Sequence, residues 1–266
     1  TTARCVFFAD ASVRPAKGSN RRSHAPEVLR ALIHPGTDGA TAPAERHLFR
    51  QDAGMAEVAS DPTLLTLHAV RLVGFASTHG VAARFHLDPA FVEEILLDGQ
   101  AYGWVTHSEF AGTSGWSLTD RDRAENERQL AAELDAQGGR ELVAGVHRRF
   151  LPLNARFLEA MTRWQIQPTP GDSMASNDHT DFRWDDRVIS SLKSIGRQLV
   201  PLEADLVSAL TRFAGYSGRY TAALAHVERF EHEWADGLGI DSCHLVWIQL
   251  HEDLLASLGL DRADEV

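Results

Sequence analysis

The sequence predicts a mainly α protein with one small β-hairpin: three helices and the hairpin first, then an α-helical bundle. Three observations carry this. Apolar residues recur at helical spacing over most of the chain beyond residue 61. Two short strand-like stretches flank the turn residues Gly112-Thr113-Ser114-Gly115. Capping and breaking residues divide the rest into three helices before that turn and four or five after the next helix.

Asp61-Pro62 supplies an N-cap followed by proline at the first helical position, and Leu64, Leu65, Leu67, Val70, Leu72, Val73 and Phe75 continue the helix. A short second helix around 81–85 stops at His86-Leu87-Asp88-Pro89. Asp88 then caps a third helix over 89–100, with Ala90, Phe91, Ile95 and Leu96 near one face. Residues 102–110 and 116–119 read as the two strands. Thr119 with Asp122 approximates a capping box and opens a charged helix through about Ala136, which Gly138-Gly139 ends. Beyond Glu141 the pattern gives helices over 142–164, 184–199, 202–213, 216–234 and 242–258, enough for a bundle. Pro152 begins or kinks a helix, Pro201 separates two, and Gly259 before Leu260 forms a C-terminal cap. The longest irregular stretch is 167–181, and loops of that length inside compact domains are often functional.

Composition narrows the class. The 266 residues are 44% hydrophobic and 24% charged, which excludes collagen-like, coiled-coil and wholly disordered chains. No apolar run reaches the ~18 to 20 residues of a spanning helix, so no membrane partner is expected. Residues 1–8 have too short an apolar core for a secretion signal, and an opening Thr1 suggests processing. Cys5 and Cys243 make neither a disulfide framework nor a zinc-finger spacing, which points to a reducing cytoplasm. Eight basic and four acidic side chains lie in residues 1–50, leaving 18 basic against 33 acidic in the rest. The expected organisation is an irregular basic arm over 1–58, a helix-and-hairpin unit over 59–137 and the bundle over 138–266. The arm is either a plain extension or a segment that touches nucleic acid.

Three helices followed by a two-stranded wing is the layout of a winged helix-turn-helix, whose third helix enters the major groove. Residues 64–74, the turn His86-Leu87-Asp88, Gly103-Trp104-Val105 and Trp116-Ser117-Leu118-Thr119 resemble bacterial winged-helix transcriptional regulators of the MarR and PadR kind, over about residues 61–135. Asn177-Asp178-His179-Thr180-Asp181, residues 212–216 and residues 241–255 are similar to the C-terminal halves of little-characterised bacterial proteins described as such regulators. The resemblance implies a DNA-binding transcriptional regulator: double-stranded DNA as partner, a small-molecule effector in the bundle and a homodimer. The side chains available to phosphate are Arg71, Arg84, His107, Thr113, Ser114, Arg121 and Arg123. Charge argues the other way. Residues 61–125 hold four basic and nine acidic side chains, and the third helix carries Asp88, Glu93, Glu94 and Asp98 with no Lys or Arg. An acidic adaptor that binds another protein is therefore the competing expectation, with Trp104 and Trp116 either an exposed platform or pins holding the wing to its core.

In the bundle the expected effector-binding residues are Asn177, Asp178, His179, Asp181 and Trp184 near the long loop, and His244, Trp247 and His251 on the last helix. Asp172, Asp185, Asp186, Cys243, Glu252 and Asp253 add to this dense polar collection, although Cys243, His244 and the tryptophans equally suit a packed core. His244 and His251 lie two turns apart, ~10 Å, too far for one metal ion unaided. The run from His226 to His232 lacks the metalloprotease spacing, and no nucleophile elbow, phosphate loop or dinucleotide fingerprint occurs. The expectation is accordingly a protein that is not an enzyme, with no catalytic residue, cofactor or metal. A third reading is a metal- or small-molecule-binding enzyme using the 177–181 loop.

Overall fold

The computed structural model describes residues 60–110, 112–261 and 263, all within one compact unit; the arm expected over 1–58 lies outside the described residues. The chain order is α1 (Pro62–Val73), α2 (Thr78–Arg84), α3 (Pro89–Tyr102), β1 (Val105–Phe110), β2 (Thr113–Leu118), α4 (Asp120–Ala136), α5 (Arg140–Gln165), α6 (Phe182–Ala209), a 3₁₀ turn (Thr211–Phe213), α7 (Tyr216–Val227), α8 (Glu233–Asp236) and α9 (Cys243–Leu258). Among the described residues no helix is long and apolar enough to cross a membrane.

Local signals start the elements where expected. The side chains of Asp61, Asp88, Thr119 and Ser242 each accept backbone N–H bonds at the starts of α1, α3, α4 and α9. Gly103 and Gly259 end α3 and α9 in the left-handed conformation. The strands are antiparallel, with Val105 opposite Leu118 and Phe110 opposite Thr113, and Ala76 adds an isolated bridge to Trp116. Residues 102–104 finish α3 instead of opening a strand, because Gly103 caps the helix there.

Two helix boundaries differ from the sequence reading. Pro201 lies inside α6, whose buried stripe Val188, Leu192, Ile195, Leu199, Leu202 and Leu206 runs through it. Burial of that stripe outweighs the ~3 kcal/mol that an interior proline costs a helix. The segment expected as one helix over 216–234 is instead α7, a turn with Phe230 at φ 66°, and α8. Pro152 sits inside α5, within the helix expected over 142–164.

The core follows from these faces. Leu67, Val70, Val81, Val92, Leu96, Val105 and Trp116 pack α1, α2, α3 and the hairpin together. A larger cluster joins Leu134 of α4 to α5, α6, α7 and α9, with Phe150, Phe157, Trp164, Tyr220 and Trp247 at its centre. Leu64, Leu130 and Ala256 close α1 and α4 onto α9. Helix α9 touches α1, α4, α5, α7 and α8, and is buried on most of its circumference.

A charged network crosses the same contact. Asp253 of α9 is fully buried, and its Oδ1 accepts from His68 Nε2 (2.9 Å) and Arg212 Nη1 (2.5 Å) while Oδ2 accepts from the Tyr216 hydroxyl (2.8 Å). Arg212 also donates to Glu133 and Ser257. Burial alone raises a carboxylate's pKa, but Arg212 and His68 outweigh it and hold Asp253 well below the usual range. Burial pushes His68 down; its Nδ1 has no hydrogen-bond partner, so the proton belongs on Nε2, facing Asp253.

This network corrects two expected DNA contacts. Arg71 is buried, donating from Nε to Glu252 and from Nη2 to Glu127, both at 2.8 Å. Arg84 is buried with its guanidinium 4.5 Å from the ring centroids of both Phe85 and Tyr216, and its Nη2 is 3.9 Å from Asp253. Both arginines fasten the first two helices inward and are withdrawn from any external phosphate.

Two buried aspartates should give opposite pH responses. Removing Asp253 strands buried cations, so Asp253→Ala is expected to cost about 3–5 kcal/mol in urea unfolding at pH 7. Since its folded pKa lies below the unfolded value of ~3.9, its contribution is complete above that pH and lost as pH falls further; the acid side of the stability curve should flatten in Asp253→Asn. Asp122 on α4 is buried with neither oxygen hydrogen-bonded, and burial, then nearby Glu125, pushes its pKa up to about 6. Its ionisation opposes folding as pH rises through that value, so Asp122→Asn should stabilise by about 1–3 kcal/mol at pH 7.5 and have little effect near pH 4. Urea midpoints at the two pH values check both.

Candidate functional site

Two surfaces hold the expected site residues. On the helix-and-hairpin side, His107 of β1, Thr113 and Ser114 of β2, and Arg121 and Arg123 of α4 are exposed, although the Arg123 guanidinium already lies 3.2 Å from Glu252. The outward residues of α3 are Phe91, Glu94, Leu97 and Asp98, with Leu97 52% exposed. A cleft of about 390 Å³ opens between α2, α3 and the hairpin, bordered by His79, Glu93, His107 and Ser114. Its floor is fixed by Thr78, whose hydroxyl donates to Glu93 and accepts from Trp116 Nε1. Trp116 is buried in the core, and Trp104 stacks on Tyr102, so both tryptophans pin the hairpin down.

The second surface is built by the long loop, which is more ordered by local bonding than its composition suggests. Gln167 N–H donates to the Ala175 carbonyl and Asn177 N–H to that of Gln165, folding residues 166–177 back on the end of α5. Three short polar side chains then turn the chain into α6. Asn177 Oδ1 accepts from His179 N–H, Asp178 Oδ1 from Thr180 N–H and hydroxyl, and Asp181 Oδ1 from Arg183 and Trp184 N–H. Asp178 and Asp181 are exposed and serve the turn and the helix cap. The Asp178 carboxyl is held below its ordinary value by the Thr180 bonds. Trp184 donates its indole N–H to the Arg163 carbonyl, tying α6 to α5.

His179 differs from its neighbours. It has φ 59°, a left-handed conformation uncommon for a residue with a Cβ, and this turns its ring inward over Trp164 with ring centroids 4.5 Å apart. Its Nδ1 is 3.1 Å from Asp185 Oδ2 and 3.2 Å from Asn177 Nδ2. The two amide hydrogens of Asn177 are already aimed at the Trp164 carbonyl and Asp185 Oδ1, each at 2.9 Å. The bonding pattern is therefore satisfied when His179 Nδ1–H donates to Asp185, whose side chain is 8% exposed. His232, just before α8, completes the cluster with its ring 4.3 Å from that of His179 and 5.6 Å from that of Trp164. Burial, and then the neighbouring His179, push the His232 pKa down, favouring its neutral form with a free lone pair.

The remaining expected residues do not join this cluster. Trp247 is buried, stacks on Phe150 and Phe157 and donates to Asn154 Oδ1. His251 packs near Phe150 and His147, and His244 faces Phe157, its pKa lowered by burial. The adjacent Cys243 is fully buried, and burial pushes its thiol up to about 12. These are core positions of α9, and the periodic apolar residues between them are the signal of it.

His232 is absent from the sequence reading of the site, and Asp185 enters it only as part of the polar collection and not among the expected effector-binding residues. Asp185 has a sequence signal, since it lies one turn beyond the α6 cap on the side facing the loop. His232 has none, because the turn at Phe230 that brings it across is not expected from a pattern that reads as continuous helix. Comparison of the chain with family models, curated proteins and solved structures finds no match in any of the three.

Proposed function

We propose that the chain is a regulatory protein in which a winged helix-turn-helix output half is clamped to a helical bundle that carries a ligand site. The supporting observation is the order of three helices, hairpin and helix, with the Ala76 bridge beside the hairpin and α3 presenting its outer face to solvent. The clamp through Asp253 and Glu252 supports treating the halves as one device, since α1 and α2 are fastened directly to the helix at the centre of the bundle.

The partner favoured for the output half is a protein. Phe91 and Leu97 are exposed on the same helix as Glu94 and Asp98, an apolar patch with an acidic rim that fits an apolar surface rimmed by Lys or Arg. Duplex DNA would meet that acidic helix in its groove, while Arg71 and Arg84 are spent inside the fold. Transcriptional regulation by direct DNA binding is the second reading, supported by exposed His107, Thr113, Ser114 and Arg121 beside the cleft. In either case a homodimer and a small polar effector held by the 177–185 stretch complete the scheme.

Gel shifts separate the two readings. With the gene's own upstream DNA, the protein-partner reading expects no specific complex from low to high salt. A salt-sensitive specific shift that Thr113→Glu and Arg121→Glu weaken would instead establish the DNA reading. A photo-crosslinker at Leu97 should capture one defined protein, and Glu94→Lys with Asp98→Lys should reduce that capture at least about tenfold.

A further inference from the structure

We propose that His179, Asp185 and His232 bind one divalent first-row transition-metal ion, with zinc as the reference case. Each residue offers one ligand atom, and the three atoms lie within 4.8 Å of one another. The closest measured pair, His179 Nδ1 and Asp185 Oδ2, is separated by 3.1 Å. That is near the ~3.4 Å edge of a tetrahedron whose metal–ligand bonds are ~2.0–2.1 Å. A tetrahedral site requires the His232 ring to approach the pair from within that 4.8 Å. Two imidazoles and one carboxylate suit zinc, cobalt, nickel or ferrous iron, whereas magnesium and calcium require mainly oxygen ligands.

The surroundings are those of a prepared site. Asp185 is buried, and its recorded ion-pair partner is the His179 imidazole; Arg163 and Arg187 lie over the Trp184 ring instead. The carboxylate is met by the His179 Nδ1–H and the Asn177 amide, and a bound cation takes the place of the Nδ1 proton, which moves to Nε2 so that the neutral imidazole ligates through Nδ1. Asn177 holds the carboxylate by its Oδ1 and anchors itself on the Trp164 carbonyl, the kind of outer hydrogen bond that orients a metal ligand. Trp164 forms an apolar wall against both imidazoles. The three ligands come from the 177–181 loop, the adjoining first turn of α6 and the turn before α8, so the ion would join two segments distant in sequence. Three protein ligands also leave one tetrahedral position for water or an anionic group. The site is independent of whether the output half meets protein or DNA.

The test titrates cobalt(II) and zinc(II) into the full chain after chelator treatment, reading cobalt visible absorption, metal content after gel filtration and the thermal midpoint. The expected result is one ion per chain, tetrahedral cobalt bands and a higher midpoint with zinc but not with magnesium. His232→Ala and Asp185→Asn should each weaken binding more than about tenfold, and Asn177→Ala by about 10- to 100-fold. Circular dichroism of the chelated proteins verifies that each variant is folded. His232→Ala is the decisive variant because its ring is partly exposed and caps no helix by a side-chain bond. Wild-type protein that takes up no zinc or cobalt, or a folded His232→Ala that binds as tightly as wild type, overturns the proposal; the latter result would assign the metal to other histidines.

Discussion

One buried carboxylate sets the arrangement of the described fold. Asp253 has no access to water, and an unpaired charge in that position would cost several kcal/mol. It is tolerated because His68, Arg212 and Tyr216 approach it together from α1, the 3₁₀ turn and α7, with Arg84 of α2 just beyond hydrogen-bond range. None of these groups has water as a substitute partner. Displacing any of their elements separates charges that have nowhere else to go. Burying such a network is a poor source of stability compared with apolar packing, but it penalises alternative arrangements of α1, α2 and α9 severely.

The same network determines the character of the outer surface. Arg71 and Arg84, which the sequence reading would send to phosphate, are turned inward toward Glu127, Glu252 and Asp253. The carboxylates of α3 meanwhile remain outside, where Glu94 and Asp98 flank Phe91 and Leu97. On the outer face of α3 the exposed charges are negative, which is why the proposed partner of that face is a basic protein surface and not phosphate.

What could be read in the sequence was what depends on near neighbours. The caps at Asp61, Asp88, Thr119 and Ser242 were legible because each acts within three residues, and the mainly α architecture with its single hairpin followed from periodicity. Pro201 misled because its local effect is real yet smaller than the burial along the whole α6 stripe. Arg71 and Arg84 misled for a related reason: a charged residue on an amphipathic helix normally faces solvent, and partners 56 and 181 residues away, Glu127 and Glu252, make burial of Arg71 tolerable. The polar loop was identified by composition. Its division into turn-forming Asp178 and Asp181 and inward-facing His179 required the left-handed backbone at that one position.

Helix α9 connects these findings physically. Its N-terminal turn faces α8, where Asp236 acts on His244, and its later turns hold Glu252 and Asp253 against α1 and α2. Cys243 and Asp253 are ten residues apart on one helix, so a rigid rod of about 15 Å separates the neighbourhood of His232 from the clamp. A close-packed rod of this kind transmits displacement and absorbs little of it, because nearly every face of it meets other side chains. The weak point lies before the rod, in the four-residue α8 and the turn at Phe230, which have few buried side chains of their own. In the proposed scheme a ligand held by His232 would act on this thinly packed segment, and α9 is the element that connects it to the clamp.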